Sequence, residues 1–266
     1  MSASKTASRP RIAFVIPTRG ERPGWLEQAL ESVVSQTEMA RIVLVAPPGA
    51  VDVSRIAAVF GVEFREQRQH GLSAAINEGW VGAHEPYCAW MGDDDLLAKD
   101  SLLSVVKALD SSARVVMAYG DCDVIDATGA GLYRMRPRRL GATFMRYGQQ
   151  FIPQPGSLFR LSAVREVGGL DPSLKQAMDL DLFLKLRRFG QLMYLPEVLS
   201  AFRRHPTSLT VANINPGLEA AMVRARYYGR VARLTSTAWS PAIQFAAKAW
   251  ARQQLQERPG AIWRRC

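Results

Sequence analysis

Cysteine and histidine are scarce in this sequence, with three of each among 266 residues. The cysteines, Cys88, Cys122 and Cys266, lie far apart and form no CxxC pair. An odd and scattered set of cysteines argues against a disulfide framework and against a structural zinc site. We therefore expect a reducing compartment.

Long apolar runs are missing as well. The first one, residues 12–16, is much shorter than a signal-peptide core or a membrane span, so a cytoplasmic protein is expected. The sequence also lacks a P-loop, a GxGxxG fingerprint, a Ser-His-Asp signature and an EF-hand loop. With 48% hydrophobic and 22% charged residues, the composition is that of a globular protein rather than a disordered or collagen-like one.

Short apolar runs alternate with helical patterns through the first part of the chain. The strand-like runs are residues 11–16, 41–46, 62–65 and 87–91, and the helical patterns between them are residues 25–36, 53–60 and 73–83. This alternation predicts an α/β fold with a mostly parallel, Rossmann-like central sheet flanked by helices. Ligands of such sheets bind at the carboxyl ends of the strands.

Three segments follow from the patterns along the chain. Residues 1–10 form a polar N-terminus that we expect to be disordered, and residues 11–210 form one α/β domain. Residues 211–266 form a basic, aromatic-containing helical tail, which carries nine Lys and Arg against two Asp and Glu. The tail therefore holds +7 of the net charge of +10.

The tail has two interpretations. Helical spacing occurs over residues 218–234 and 243–255, and three of the six tryptophans lie in the tail. Basic residues beside aromatic ones suit peripheral contact with the inner face of an anionic membrane, whereas helices packed on the domain would have the same periodicity. No DNA- or RNA-binding motif accompanies the charge, so nucleic acid is not an expected partner.

Three consecutive carboxylates, Asp93, Asp94 and Asp95, follow the apolar run at residues 87–91. Like charges held this close raise each other's pKa, and a divalent cation such as Mg²⁺ or Mn²⁺ relieves the repulsion. A solvated turn, or a cap for a helix over residues 96–109, is the alternative.

Further candidates lie elsewhere in the chain. Gly71 precedes a helical pattern, where glycine allows a close backbone approach to a ligand, although a plain helix start is the simpler explanation. Asp179 and Asp181 lie at the start of another helical pattern and point to different faces. Either could act as a base or merely cap the helix. His205 is one of the few histidines and, alone, more often structural than a ligand.

Taken in order, several segments resemble family 2 glycosyltransferases of the GT-A fold. The matching segments are residues 15–18 (VIPT), 71–79 (GLSAAINEG), 90–95 (WMGDDD), 154–160 (QPGSLFR), 167–171 (VGGLD), 177–182 (AMDLDL) and 203–205 (RRH). The resemblance spans about 200 residues, and the joint match is far more specific than any single segment.

The resemblance implies an activity and its cofactors. It implies an inverting GT-A glycosyltransferase with a C-terminal helical extension, which moves a sugar from a nucleotide-diphosphate sugar to a hydroxyl acceptor. Mn²⁺ or Mg²⁺ is the implied metal. A glycan or lipid-linked acceptor is the implied partner, in the synthesis of cell-surface polysaccharide or lipopolysaccharide.

The resemblance also implies site residues. The acidic triplet becomes the D-x-D motif, with Asp95 as the main metal ligand and Asp93 and His205 as further ligands. Asp179 takes the position of the general base, and Asp181 is kept as a second candidate. The residues implied to border the donor are Pro17, Thr18, Arg19, Gln69, Gly71, Asn77, Asp93 and Asp94.

The sequence departs from the family pattern beside the nucleobase. Gln69 and Ala74 stand where related sequences commonly carry acids, so the implied base is not fixed as uracil. Two other functions fit part of the pattern. A nucleotidyltransferase shares the sheet and acidic site but needs a phosphate loop, of which residues 15–20 are a poor version, and a degenerate sugar-nucleotide-binding scaffold would also lack the base-reading acids.

Overall fold

The computed structural model describes residues 10–36, 39–139, 141–147, 150–208, 216–228, 241–243, 245–246, 249 and 263. The predicted disordered N-terminus lies outside the described residues apart from Pro10. Most of the second predicted tail helix, over residues 243–255, lies outside them too.

The first half of the chain alternates strands and helices as its sequence pattern predicts. Its elements are β1 (Ile12–Pro17), α1 (Pro23–Val34), β2 (Ala40–Ala46), α2 (Val51–Phe60), β3 (Glu63–Glu66), α3 (Leu72–Gly79), β4 (Tyr87–Trp90), β5 (Leu96–Leu97) and α4 (Ser101–Asp110). The strand β1 is wholly buried, as expected for a strand covered by helices on both faces. Pro23 starts α1, where its fixed φ suits the first helical turn.

The second half is less regular. Its elements are β6 (Val115–Ile125), β7 (Gly131–Met135), α5 (Gly141–Tyr147), β8 (Leu158–Arg160), α6 (Leu161–Glu166), α7 (Met178–Leu186), β9 (Gln191–Arg203) and α8 (Pro216–Tyr227). The nine strands described form one sheet in the order β3-β2-β1-β4-β8-β6-β9-β5, and β7 pairs with β6.

The α/β fold with helices on both faces is confirmed, and the sheet is parallel only in part. Strands β3, β2, β1 and β4 are parallel neighbours, as expected. Beyond β4 the sheet is mixed, because β8 runs antiparallel between β4 and β6 and β7 returns from β6 through a tight turn at Asp126–Gly129. A short hairpin turn forces the antiparallel direction.

Two hydrophobic clusters lie against the sheet. One packs α1, α2 and α4 against it through residues such as Leu30, Val53 and Val105. The other packs α3, α6 and α7 through residues such as Ile76 and Phe183. The sheet is thus the middle layer of a three-layer domain, and its carboxyl edge stays open between the helices.

Two parts of the tail, α8 and Trp263, pack on this domain. In α8, Val223 is fully buried, and Arg224 Nε donates to Met145 O at 3.0 Å. The Glu219 carboxylate accepts the main-chain N–H groups of three successive residues that lead into α7, residues 175–177, at 2.6–3.0 Å. Beyond α8, the Trp263 indole N–H donates to Asp123 Oδ2 at 2.9 Å.

Candidate active site

Three strand ends meet at one edge of the sheet. The strands β1 and β4 are parallel, and β4 reaches β9 through two antiparallel pairings and one parallel pairing. Hence β1, β4 and β9 run in the same direction, and their carboxyl ends share an edge. This brings Thr18, the acidic triplet at residues 93–95 and His205 together.

The acidic triplet forms a turn between β4 and β5. Since α4 begins only at Ser101, and its cap position is Asp100, the triplet does not cap a helix. Gly92 lets the carboxylates crowd, because a Cβ there would lie 2.6 Å from Asp94 Oδ1 and 3.1 Å from Asp95 Oδ2. The glycine at position 92 therefore leaves space next to these two carboxylate oxygens, which a side chain would fill.

Asp93 faces the loop after β1. Its Oδ2 accepts the Thr18 hydroxyl at 2.5 Å, and its Oδ1 accepts Arg22 Nη2 at 3.1 Å. Burial raises the pKa of Asp93, and the Thr18 hydrogen bond opposes this shift. The hydroxyl of Thr18 also accepts the N–H of Gly20 at 3.0 Å, which fixes the start of the loop.

Asp94 meets the histidine and the same arginine. Its Oδ2 lies 2.8 Å from His205 Nε2 and 3.5 Å from Arg22 Nη1. The His205 Nε2 lies 3.0 Å from Arg22 Nη1 as well, and its Nδ1 lies 3.0 Å from the Thr207 hydroxyl. His205 is therefore not an isolated structural histidine but part of the acidic cluster.

Asp95 turns toward β9. Its Oδ1 accepts the main-chain N–H of Arg203 at 2.9 Å, and the residue is 4% exposed. Burial raises the pKa of Asp95 well above its usual value, and the neighbouring Asp94 raises it further. A cation at this turn would favour the ionised carboxylate.

Arg203 holds the acidic turn in place. Its Nε donates to Asp94 O at 2.9 Å, and its Nη2 donates to Gln28 Oε1 at 2.9 Å. The guanidinium carbon lies 5.1 Å from the centre of the Trp25 ring, which also packs on the His205 ring at 4.8 Å. Arg203 belongs to one of the matching segments, but its position in the sequence indicated no role for it. Its contacts show that it supports the acidic turn.

The donor atoms at this edge fit a hard divalent cation. Carboxylate oxygens and an imidazole nitrogen are ligands that Mn²⁺ accepts, and Gly92 leaves room for them to converge. Among the described residues, no group of three or more His, Cys, Asp or Glu side chains is placed to hold a metal ion by itself. Divalent-cation sites often take the rest of their ligands from substrate phosphates and water. The Arg22 guanidinium forms ion pairs with two of the carboxylates, those of Asp93 and Asp94.

The two candidate bases have different surroundings. Asp179, at the start of α7, is half-buried, and its Oδ2 accepts Gln150 Nε2 at 2.8 Å. Burial raises the pKa of Asp179 to about 6, although hydrogen bonds from the Leu180 N–H and from Gln150 oppose the shift. A carboxylate with this pKa is suited to accept a proton near neutral pH.

Asp181 is fully buried and engaged elsewhere. Its Oδ1 accepts the Tyr227 hydroxyl at 2.7 Å, and its Oδ2 forms an ion pair with Lys185 at 2.8 Å. The Tyr227 contact joins α7 to α8, and the Lys185 contact lies within α7. Asp181 is therefore not brought to the cluster formed by the acidic triplet.

A segment of five residues links Asp179 to the strand end that carries the acidic triplet. Gln150 contacts Asp179, and Gln154 Nε2 donates to Trp90 O at the end of β4, at 2.6 Å. The surroundings of the base candidate are therefore tied to the strand that leads into the acidic turn.

The residues expected around the donor divide into two groups. Pro17 ends β1 beside Thr18, and Arg19 is exposed, with its guanidinium 3.6 Å from Glu21. Gln69 is exposed, and its main-chain N–H donates to Glu78 Oε1 at 2.8 Å. These residues flank the strand ends.

Gly71 and Asn77 shape the structure instead. Gly71 has φ +107, which disfavours other residues, and begins α3. The Asn77 amide is used twice by the turn before α7: its Nδ2 donates to Leu170 O at 2.8 Å, and its Oδ1 accepts the Leu170 N–H at 3.1 Å. The Asn77 side chain therefore binds this turn and is not brought to the strand ends at which the sugar donor is expected.

Two residues at the site were missed by sequence analysis, Arg22 and Gln150. Arg22 lies in the polar turn after β1, and nothing in its position in the sequence shows that it reaches the acidic triplet 71 residues later. Gln150 lies outside the matching segments, so only the fold brings it to Asp179. The sequence shows only that Arg22 is a charged residue in the loop after a buried first strand.

Comparison with known proteins identifies the class. The family described as Glycosyl transferase family 2 matches residues 13–168, and these residues hold the acidic triplet and the loop after β1. The chain belongs to this family, and it is a glycosyltransferase of the GT-A fold. The family expected from the matching segments is therefore confirmed.

Related protein sequences share less than a third of their residues with this chain. The uncharacterised protein y4gI of Sinorhizobium fredii is 28% identical over 223 residues, which cover 77% of this chain but 23% of that protein. The uncharacterised glycosyltransferase RT0329 of Rickettsia typhi is 23% identical, over 77% of this chain and 68% of its own. The chain therefore spans about a quarter of the length of the first relative and two thirds of the second.

Solved structures share the fold. The mannosyltransferase PcManGT of Pyrobaculum calidifontis, in complex with GDP-Man and Mn²⁺, is 19% identical with a TM-score of 0.64, over 95% of this chain and 77% of its own. TarS 1–349 of S. aureus, in complex with UDP-GlcNAc, is 12% identical with a TM-score of 0.62, over 92% and 78%. In the described residues, no helix is long and apolar enough to cross a membrane.

Proposed function

We propose that this glycosyltransferase is an inverting enzyme that uses a divalent cation to transfer a sugar from a nucleotide-diphosphate sugar to a hydroxyl acceptor. The observation that supports this most is the segment at residues 150–154, which links Asp179 through Gln150 to the end of β4, beside the acidic turn, through Gln154. The two PcManGT and TarS structures, which hold GDP-Man with Mn²⁺ and UDP-GlcNAc, support the donor class.

The acidic turn is the proposed cation site. Asp94, Asp95 and His205 would hold Mn²⁺ or Mg²⁺, because the Asp94 oxygens face both the histidine and the Asp95 side of the turn. This differs from the sequence-based expectation of Asp95, Asp93 and His205. A bound cation would supply charge that stabilises the departing nucleoside diphosphate.

Asp93 is assigned to the donor side instead. It is tied to the loop after β1 through Thr18, and that loop borders the strand end where nucleotides bind in open α/β sheets. Pro17, Thr18 and Arg19 would line the nucleotide, with Gln69 beside the base. An amide side chain at position 69 offers both a donor and an acceptor to a nucleobase edge.

Asp179 is the proposed general base. Its raised pKa, near 6, keeps the carboxylate basic enough to take a proton from an acceptor hydroxyl at neutral pH. Gln150 orients the carboxylate by donating to Oδ2, and the second lone pair of this oxygen remains for the acceptor hydroxyl. One base opposite the leaving group gives inversion in a single displacement. Asp181 is assigned to the packing of α7 on α8.

The acceptor is proposed to be a glycan or a lipid-linked sugar of the cell surface. Peripheral membrane contact through the tail is part of this proposal. In α8 the side chains of Leu218 and Met222, one helical turn apart, are 65% and 59% exposed, and the exposed Arg226 follows one turn later in the same helix. Exposed apolar side chains next to a basic residue suit an anionic bilayer surface. Flotation with anionic liposomes tests this: equal behaviour of intact and Leu218→Ser/Met222→Ser protein would contradict it.

The activity is tested by a donor screen. Thermal unfolding is measured with UDP, GDP, dTDP and CMP sugars in the presence of Mn²⁺, Mg²⁺ or chelator, because a ligand of the native state raises the melting temperature. We expect one donor to raise it only with metal, and the Asp94→Asn protein to lose this response. Release of nucleoside diphosphate that depends on an added acceptor separates an enzyme from a binding scaffold.

A further inference from the structure

The loop after β1 places a positive side chain inside the acidic cluster. The Arg22 guanidinium lies 3.1 Å from Asp93, 3.5 Å from Asp94 and 3.0 Å from the His205 ring nitrogen Nε2. Its side chain is 28% exposed, and those of Asp93 and Asp94 are 8% and 15% exposed. The charge of Arg22 thus neutralises carboxylates that would otherwise repel one another.

This position leaves Arg22 incompletely bonded. Its Nε is buried and has no hydrogen-bond partner among the described residues. The His205 Nε2 lies within 3.0 Å of both Arg22 and an Asp94 oxygen. One ring nitrogen can accept from the arginine or donate to the carboxylate, but it cannot do both.

We propose that Arg22 is a resident counter-ion, which occupies the cation position of the acidic turn and withdraws before a divalent cation binds. The proposal rests on the proposed function for the identity of the cation site. Withdrawal frees Asp94 and the His205 Nε2 lone pair, which are the same atoms that a metal ion would use. Arg22 lies in a surface loop, ahead of Pro23, so its side chain can turn to solvent without disturbing a strand.

Direct measurement of Mn²⁺ binding tests the proposal. The Arg22→Gln protein is compared with wild type and with Arg55→Gln, which removes the same charge from a side chain of α2 that is 75% exposed and has no role at the site. Titration of Mn²⁺ followed by electron paramagnetic resonance gives the affinity without any substrate. We expect Arg22→Gln to bind Mn²⁺ about tenfold more tightly or better, and Arg55→Gln to bind within about twofold of wild type.

The same proteins are compared by thermal unfolding in chelator and in saturating Mn²⁺. We expect Arg22→Gln to melt below wild type in chelator, because its carboxylates lack a counter-ion, and to recover when Mn²⁺ is added. A purely structural role for Arg22 predicts the same loss under both conditions. If Arg22→Gln unfolds on chelation, refolding when Mn²⁺ is returned supports the proposal, and unfolding that Mn²⁺ does not reverse contradicts it.

Two results overturn the proposal outright. One is an Mn²⁺ affinity of Arg22→Gln equal to or weaker than that of wild type, and the other is no Mn²⁺ binding by either protein. Neither depends on sugar transfer. A protein that binds Mn²⁺ as expected but transfers no sugar would contradict the proposed function and leave the counter-ion proposal standing.

Discussion

The hydrogen bond from Gln150 to Asp179 partly offsets the effect of burial on the pKa of the proposed base. Its N–H to carboxylate distance is 2.8 Å, and burial holds the pKa of Asp179 at about 6. A bond to a charged group contributes about 1.5–3 kcal/mol, and one pKa unit corresponds to about 1.4 kcal/mol. Because Asp179 is only half-buried, solvent replaces part of the lost bond.

Replacement of Gln150 by Leu is therefore expected to raise the pKa of Asp179 by about one unit. The bond favours the ionised carboxylate, so its loss favours the protonated form, which cannot accept a proton. In the pH profile of kcat, the acidic limb is expected near pH 6 in wild type and near pH 7 in Gln150→Leu, each within about half a unit.

The matched control is Gln176→Leu, which makes the same side-chain change three residues before Asp179. The hydrogen bond of Gln176 to Glu219 uses its main-chain N–H and survives the change, so its limb should stay with that of wild type. An acidic limb that does not move in Gln150→Leu, while kcat at high pH is unchanged, would refute the assignment of Asp179 as the base.

Two further predictions concern the frame of the site. Gly92→Ala is expected to abolish the metal-dependent thermal response to donor, because its Cβ would lie 2.6 Å from Asp94 Oδ1. The control is Gly217→Ala, whose Cβ meets no atom within 4 Å, and a retained response in Gly92→Ala would contradict the role given to Gly92. Glu219→Ala is expected to lower the free energy of unfolding by about 2–3 kcal/mol in urea titration, because three main-chain N–H groups ahead of α7 lose a charged acceptor. An unchanged midpoint of the urea transition would show that water replaces the lost carboxylate.

Much of the fold could be predicted from the sequence because the first strands are short, apolar and separated by helical patterns. The parallel pairing of β1, β2, β3 and β4 follows from that alternation. The mixed second half could not be predicted in the same way. The strand β8 has three residues and β5 has two, which is too few to show a period.

The sequence shows where the carboxylates of the candidate site lie along the chain, but the contacts of each carboxylate could not be predicted. Adjacent aspartates in a turn point in different directions according to the backbone, and only the structure shows that Asp95 turns to the Arg203 N–H while Asp94 turns to His205. Contacts such as Arg22 to Asp93 join distant parts of the chain and leave no local pattern. Asn77 shows the reverse case, since a polar residue in a matching segment serves the packing of a turn.

The most direct test of the account compares donor binding with sugar transfer in the Asp179→Asn protein. Calorimetry with the identified donor and metal should give an affinity within about twofold of wild type, because Asp179 lies apart from the acidic turn. Transfer to the acceptor should fall by about 10²–10⁴-fold, the range for loss of a general base. Transfer at the rate of wild type, with donor binding unchanged, would contradict the central claim that Asp179 deprotonates the acceptor.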